Sequence, residues 1–198
     1  MVSRLILASA SPRRAQLLSQ IGVVPDDVVP ADVSEDPLRN ELPRQLASRL
    51  SEAKASHVAS DHLDAFVLAA DTVVACGRRS LAKADTADEA KKFLQLLSGR
   101  SHRVYGGVCL IAPGGQRAVR VVMTTVHFKT LSQSEIHNYI ETGEWQGKAG
   151  AYAIQGMASV FVKRINGSYP NVVGLPLFET QSLLTGLGYS RGKNQNGG

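Results

Sequence analysis

The sequence predicts an α/β domain built on a mixed, strongly twisted sheet. Three observations carry that expectation. Strand-like apolar runs and amphipathic helical stretches are interleaved, yet without the strict alternation that gives an all-parallel sheet. Hydrophobic residues make up 43% of the 198 and charged residues 20%, enough for a packed core in one domain or two tightly joined lobes. No internal repeat and no low-complexity linker divides the chain into independent parts.

The elements follow in order. Residues 3–8 (SRLILA) form a buried strand. Ser11 then stands where an N-cap belongs, with Pro12 at the first helical position, where its missing N–H costs nothing. Leu17, Leu18 and Ile21 make the apolar side of this helix, and Gly22 ends it. VVPDDVVPADVSEDP is turn-rich with short β pieces. A helix over 44–59 has Leu46, Leu50 and Ala53 on its buried side. A buried strand over 66–75 is interrupted by one acid, Asp71. Thr86 and Glu89 form a capping box for a helix that ends at Ser98-Gly99. Strands over 103–111 and 118–129 flank the PGG turn. Ser132 and Glu135 cap another helix, running to Gly143. GAYAIQGMASVFVKRING predicts two short strands, and Pro176 begins the last helix, to about Leu187. Residues 190–198 have no core-forming pattern and are expected to be a disordered tail after a single domain over 1–189.

Bulk properties exclude several classes. No apolar run approaches the roughly 18 residues that cross a bilayer, and the short apolar run Leu5–Ala8 lacks a secretory pattern. A cytoplasmic, soluble protein is expected. Cys76 and Cys109, both in apolar strand contexts, are expected to be buried thiols and cannot alone make a zinc site. The net charge is +5, but without Arg191 and Lys193 of the terminal RGKNQNGG it falls to 20 basic against 17 acidic residues. Basic residues are scattered and aromatics are only 6%, which argues against a nucleic-acid groove.

Some residues stand out chemically. Arg13 and Arg14 sit in the first turn of a helix, where the dipole is already positive. An anion at the helix mouth, phosphate above all, makes that arrangement favourable; two solvated surface arginines are the alternative. Asp71 lies among apolar neighbours, where an unpartnered charge costs several kcal/mol. It is either a paired structural acid or a carboxylate that binds metal or acts as a base. Glu35 is a solvated loop acid or the second carboxylate of a hard-cation site for Mg²⁺ or Mn²⁺. Lys54 lies four and eight residues after Leu50 and Leu46, so its stem follows the buried helix side, and its ammonium emerges in a cleft or snorkels outward. Lys83, taken alone, is an ordinary loop lysine.

Decoys are set aside. GEWQGKAG has three residues between Gly143 and Gly147 and Ala149 in place of the P-loop Ser or Thr. The histidines show no metal spacing, Ser9 and Ser11 lack a nucleophile elbow, and Trp145 is expected to pack.

LASASPRRAQLLSQIGV, LAADTVVACG, LSGRSHRVYGGV, GKAGAYAIQG and INGSYPNVVGLPL, in this order over about residues 4–188, resemble the Maf family of nucleoside triphosphate pyrophosphatases. That resemblance implies a Maf/ITPase-like fold: an elongated mixed sheet flanked by helices, with two lobes around a deep cleft. It implies hydrolysis of a nucleoside triphosphate to monophosphate and pyrophosphate with a divalent cation, in a homodimer that cleans nucleotide pools. Ser9, Arg13 and Arg14 match the family's phosphate-binding block. Asp71 matches its proton acceptor, Glu35 its acidic metal-holding loop, and Lys54 and Lys83 two cleft lysines. Arg13, Thr72 and Gln155 match the branch acting on dTTP and UTP; the other branch prefers N7-methyl-GTP. Departures are Ser34 where a second acid is frequent, Ala84, Gly106 and Pro170; Ala84 and Gly106 are expected to loosen the cleft. The alternatives to a dTTP/UTP enzyme (with CTP or modified pyrimidine nucleotides as further substrates) are an N7-methyl-GTP pyrophosphatase and a non-hydrolysing nucleotide sensor linked to cell division.

Overall fold

The computed structural model describes residues 3–190. From Arg191 onward the expected tail lies outside the described residues. Seven strands form one open sheet in the order β2-β1-β3-β5-β6-β7, with β4 also paired to β3. The chain runs β1 (Leu5–Ala8), α1 (Pro12–Gln20), β2 (Asp27–Val28), α2 (Pro43–Ala59), β3 (Phe66–Cys76), β4 (Arg79–Leu81), α3 (Ala87–Leu97), β5 (Ser101–Ile111), β6 (Arg117–Phe128), α4 (Gln133–Glu141), β7 (Val162–Asn166), α5 (Tyr169–Val173) and α6 (Leu177–Gly186). β1 is parallel to β2 and β3, and all other pairings are antiparallel. The sheet is therefore mixed, as the irregular interleaving of elements predicts.

β3 is apolar nearly throughout because both its faces are covered. Phe66, Leu68, Ala70 and Val74 join Leu17 and Leu18 of α1, Leu94 and Leu97 of α3, and Leu183 and Leu184 of α6 in the main core. Val67 and Ala69 turn the opposite way, onto Ala55 and Val58 of α2. Val73 packs on Leu46 and Leu50.

Two glycines of β5 set how closely the layers approach. Gly107 pairs with Asp71, and a Cβ on it would stand 2.0 Å from the carbonyl oxygen of Ala47 in α2. A Cβ on Gly106 would stand 1.9 Å from Oδ1 of Asn171, whose amide donates to Val104 O at 3.2 Å and Thr124 Oγ1 at 3.0 Å. Gly106 thus tightens the fold instead of loosening it, and Ala84 is buried in the core. The expectation of a loosened cleft is corrected on both counts.

β1 and β4 share one edge of β3 but do not meet. β1 ends with Ala8 opposite Ala69, and β4 ends with Leu81 opposite Val74. Among the described residues, the edge of β3 between Ala70 and Val73 is left without a strand partner.

Other differences from the sequence reading are local. Ser11 is the N-cap of α1 but makes no side-chain cap. The Thr86 hydroxyl accepts from Glu89 N–H, whereas the Glu89 carboxylate takes the amide of Asp85. Ser132 and Glu135 form the full reciprocal box. Only one strand, β7, forms where two were expected. Gly150 and Ala151 both adopt left-handed φ, 69° and 57°, which breaks any extended run, and a 3-10 turn occupies Met157–Phe161. The short α5, capped by Ser168, has too few residues to show a period. Trp145 packs as expected, its indole N–H donating to Ile140 O at 3.1 Å. Cys109 is buried, which pushes its thiol up to about 12, while Cys76 is only half-buried.

His102 is 1% exposed; Nε2 meets the Tyr152 hydroxyl at 2.8 Å, and Nδ1 has no partner among the described residues. Burial, helped by His127, holds its pKa down at about 4 against 6.5 for the free side chain. The unfolded chain therefore binds the extra proton first, and stability falls as pH drops from about 6.5 to 4. Between pH 7 and 5 His102 alone removes about 2 kcal/mol. Urea denaturation of His102→Gln should lose that share of the slope; a slope identical to the parent's contradicts the assignment.

Candidate active site

The unpaired edge of β3 opens into a cavity of about 680 Å³, within the size range of small-molecule sites. Alternation along β3 sends Asp71 toward α2 and Thr72 toward α1. Both side chains line the same cavity because β1 has already ended at Ala8.

Lys54, on the buried side of α2, is the centre of the arrangement. Its Nζ donates to Asp71 Oδ1 at 2.6 Å and to Glu35 Oε1 at 2.5 Å. Lys83 then donates to Glu35 Oε2 at 2.8 Å. The four groups form one chain of alternating charge. Lys54 and Asp71 are buried, Glu35 is partly exposed, and Lys83 is the most open. Burial works against ionised Glu35, but hydrogen bonds from Lys54 and Lys83 hold its carboxyl down at about 2. No protein hydrogen bond among the described residues reaches Asp71 Oδ2.

Glu35 sits in a segment with no helix or strand of its own, and α2 holds that segment in place. Arg49 donates bidentately to Glu41, at 2.7 and 2.9 Å, and also to the carbonyl of Asp36 at 2.9 Å. The anchor is thus one residue from Glu35 and on the same helix as Lys54.

On the opposite wall, Arg14 is committed to the protein. It donates to Ser9 Oγ at 2.9 Å, Thr72 Oγ1 at 3.3 Å and Gly174 O at 2.9 Å. Burial draws its pKa down and Asp71 opposes this, while Arg13 adds to it; a guanidinium stays charged regardless. Arg13 is half-buried, lines the cavity, and makes no hydrogen bond or ion pair among the described residues. Ser9 is buried beneath the cavity, and Gln155 is exposed along its lining. All the residues singled out from the sequence therefore meet here: Ser9, Arg13, Arg14, Glu35, Lys54, Asp71, Thr72, Lys83 and Gln155.

Lys148 joins them unannounced, from the stretch whose P-loop likeness is spurious. Its ammonium donates to Gln146 O at 2.9 Å, and burial and Arg13 lower its pKa. With it the cavity holds five cations against three carboxylates, Glu35, Asp36 and Asp71, so its field favours a polyanion.

The carboxylates also bear on metal binding. No group of three or more His, Cys, Asp or Glu is arranged as a metal cage among the described residues. Glu35 and Asp71 offer two carboxylates on one lysine. That set suits a hard cation bound by one or two carboxylates together with phosphate oxygens.

Residues 4–187 match the family described as Maf, Maf-like protein. A curated dTTP/UTP pyrophosphatase of Paramagnetospirillum magneticum is 59% identical over 186 residues, covering 94% of this chain and 98% of its own. Another of that name, from Mesorhizobium japonicum, is 55% identical over 194 residues, covering 95% and 93%. A solved nucleoside-triphosphatase / dITP/XTP pyrophosphatase of Mycobacterium abscessus aligns with 14% identity and a TM-score of 0.45, covering 92% of this chain and 94% of that one.

Removing Lys54 leaves a buried carboxylate uncompensated. Lys54→Met should cost about 3–5 kcal/mol in urea denaturation. The double variant with Asp71→Asn should recover part of that loss, because the uncompensated charge goes too; strictly additive losses contradict the coupling.

Proposed function

The chain belongs to the Maf family, and from that premise we propose that it hydrolyses dTTP and UTP to the monophosphate and pyrophosphate, clearing nucleotide pools. The observation that carries the reading is one cavity in which Lys54 holds both Glu35 and Asp71 beside Arg13, which has no hydrogen-bond or ion-pair partner among the described residues.

Water attacks the α-phosphorus. Its oxygen forms the new bond, the bond from the α-phosphorus to the bridging oxygen breaks, and pyrophosphate departs. Asp71 Oδ2 takes the proton from the water, while Lys54 on Oδ1 holds the carboxylate in orientation. Arg13, Lys83 and Lys148 neutralise the triphosphate as charge moves to the leaving group. Arg14 fixes Ser9 and Thr72, and Ser9 retains a hydroxyl proton to donate. Glu35 and Asp71 are the residues that would hold a divalent cation, Mg²⁺ or Mn²⁺, which when bound would supply further charge neutralisation.

Base choice falls to Gln155, with Thr72 and Arg13 beside it. An amide both donates and accepts, as the imide edge of uracil or thymine requires. A site built for one edge leaves polar groups unpaired with another base. No helix among the described residues is long and apolar enough to cross a membrane. A cytoplasmic location and a homodimer complete the proposal, with nucleotide, not nucleic acid, as the partner.

Incubation of dTTP, UTP, CTP and N7-methyl-GTP with the protein and Mg²⁺ or Mn²⁺ tests this. Pyrophosphate should appear, with dTTP and UTP turned over at least ~10-fold faster than N7-methyl-GTP. Orthophosphate as the first product, or equal turnover of all four, contradicts it. Asp71→Asn should stay folded by circular dichroism and lose about 10²–10⁴-fold in kcat; parent-like turnover removes Asp71 from its role.

A further inference from the structure

The loop that carries Gln155 is pinned on both sides by one helix end. Two residues before Gln155, the amide of Ala153 donates to the hydroxyl of buried Tyr139 in α4 at 3.0 Å. Two residues after it, the amide of Met157 donates to the Glu144 carboxylate at 2.8 Å. Met157 opens the 3-10 turn Met157–Phe161, so its amide is one of the N–H groups without a partner inside the turn. A carboxylate from another element satisfies it, where negative charge is favoured.

Glu144 is itself held. Gly143, at φ 69°, turns the chain off the end of α4. Thr142 Oγ1 donates to Tyr139 O at 2.6 Å and accepts the Glu144 amide at 3.2 Å. Gly156 lies flush against the carboxylate, for a Cβ on it would stand 2.0 Å from Glu144 Oε2. Its φ of −104° is one any residue adopts, so the contact with Glu144 is what a side chain there would disturb.

We infer that Glu144 is a positioning residue for substrate choice: it fixes the backbone around Gln155 and so the place of the amide that reads the base. The inference rests on the proposed function. A reading group misplaced by about 1 Å loses its selectivity. Apart from Lys148, which lies before the clamped span 153–157 and has its own bond to Gln146 O, the groups assigned to the phosphates and the water stand elsewhere: at the β1–α1 turn, on α1, α2 and β3, and in the segments before α2 and after β4. Loss of the clamp therefore acts on base selection and spares the hydrolytic step.

The test uses Glu144→Ala, Glu144→Gln and Gly156→Ala. In each, amide hydrogen exchange at Met157 is followed in the free protein, and kcat and KM are measured with UTP and with N7-methyl-GTP. Glu144→Ala and Gly156→Ala should lose protection at Met157. Their ratio of kcat/KM for UTP over N7-methyl-GTP should fall about tenfold, chiefly through KM for UTP. Glu144→Gln keeps an acceptor oxygen without the charge, and should retain both protection and ratio. The inference is overturned by unchanged protection in Glu144→Ala, by an unchanged ratio once protection is lost, or by an equal loss on both nucleotides. A parent protein that releases no pyrophosphate from UTP defeats the functional reading instead, and the exchange data still report on the clamp.

Discussion

One ammonium group organises this site. Lys54 Nζ lies within hydrogen-bond distance of both Asp71 and Glu35, so one cation offsets the charge of two acids. A buried ion pair is costly to desolvate, and its value lies in the geometry it imposes more than in net stability. Here it imposes the separation and orientation of two carboxylates from distant parts of the chain. The supporting structure serves that placement. Gly107 lets α2 lie directly on the strand next to Asp71, which sets the reach of Lys54. Arg49, on the same helix, fixes the backbone beside Glu35. A single helix thus carries both the shared cation and the anchor of its second partner.

The second constraint is topological. β1 and β4 leave a gap of four residues along one edge of β3. Neighbouring strand residues point to opposite faces, so Asp71 and Thr72 would ordinarily serve different surfaces. At the gap they serve one cavity, with the acid and its lysine on one side and Arg14, bonded to Thr72, on the other. The arrangement separates two tasks that a polyphosphate site must perform. A buried carboxylate needs a nearby cation to offset its charge, and a polyphosphate needs further cations beyond that one. Lys54 meets the first need, and Arg13, free of protein partners among the described residues, is available for the second.

Much of this was legible in the sequence where a local signal existed. Strong periodicity located the long strands and helices, and the Ser132–Glu135 box appeared as expected. Asp71 stood out because an acid in an apolar run demands a partner. The spacing of Lys54 from Leu46 and Leu50 put its stem on the buried side, but spacing could not say whether its head met a carboxylate or solvent; the motif blocks narrowed that choice. What escaped had no local signal. The gap in the β3 edge depends on where two partner strands stop. Gly106 looked like slack and is a close contact, since only the packed Asn171 reveals what a side chain there would strike. Arg49 and Glu144 act on backbone groups across tertiary distance, and Lys148 was hidden in a stretch that resembles a different phosphate motif.

The most direct measurement is a crystal structure of the Asp71→Asn protein with UTP whose bridging oxygen between the α- and β-phosphates is replaced by an NH group. The account predicts the α-phosphate at the open edge of β3, facing residue 71 and Glu35, with the outer phosphates toward Arg13 and the uracil at Gln155. A nucleotide bound elsewhere, or one lying in the cavity with its base against Lys54 and its phosphates in solvent, would contradict it.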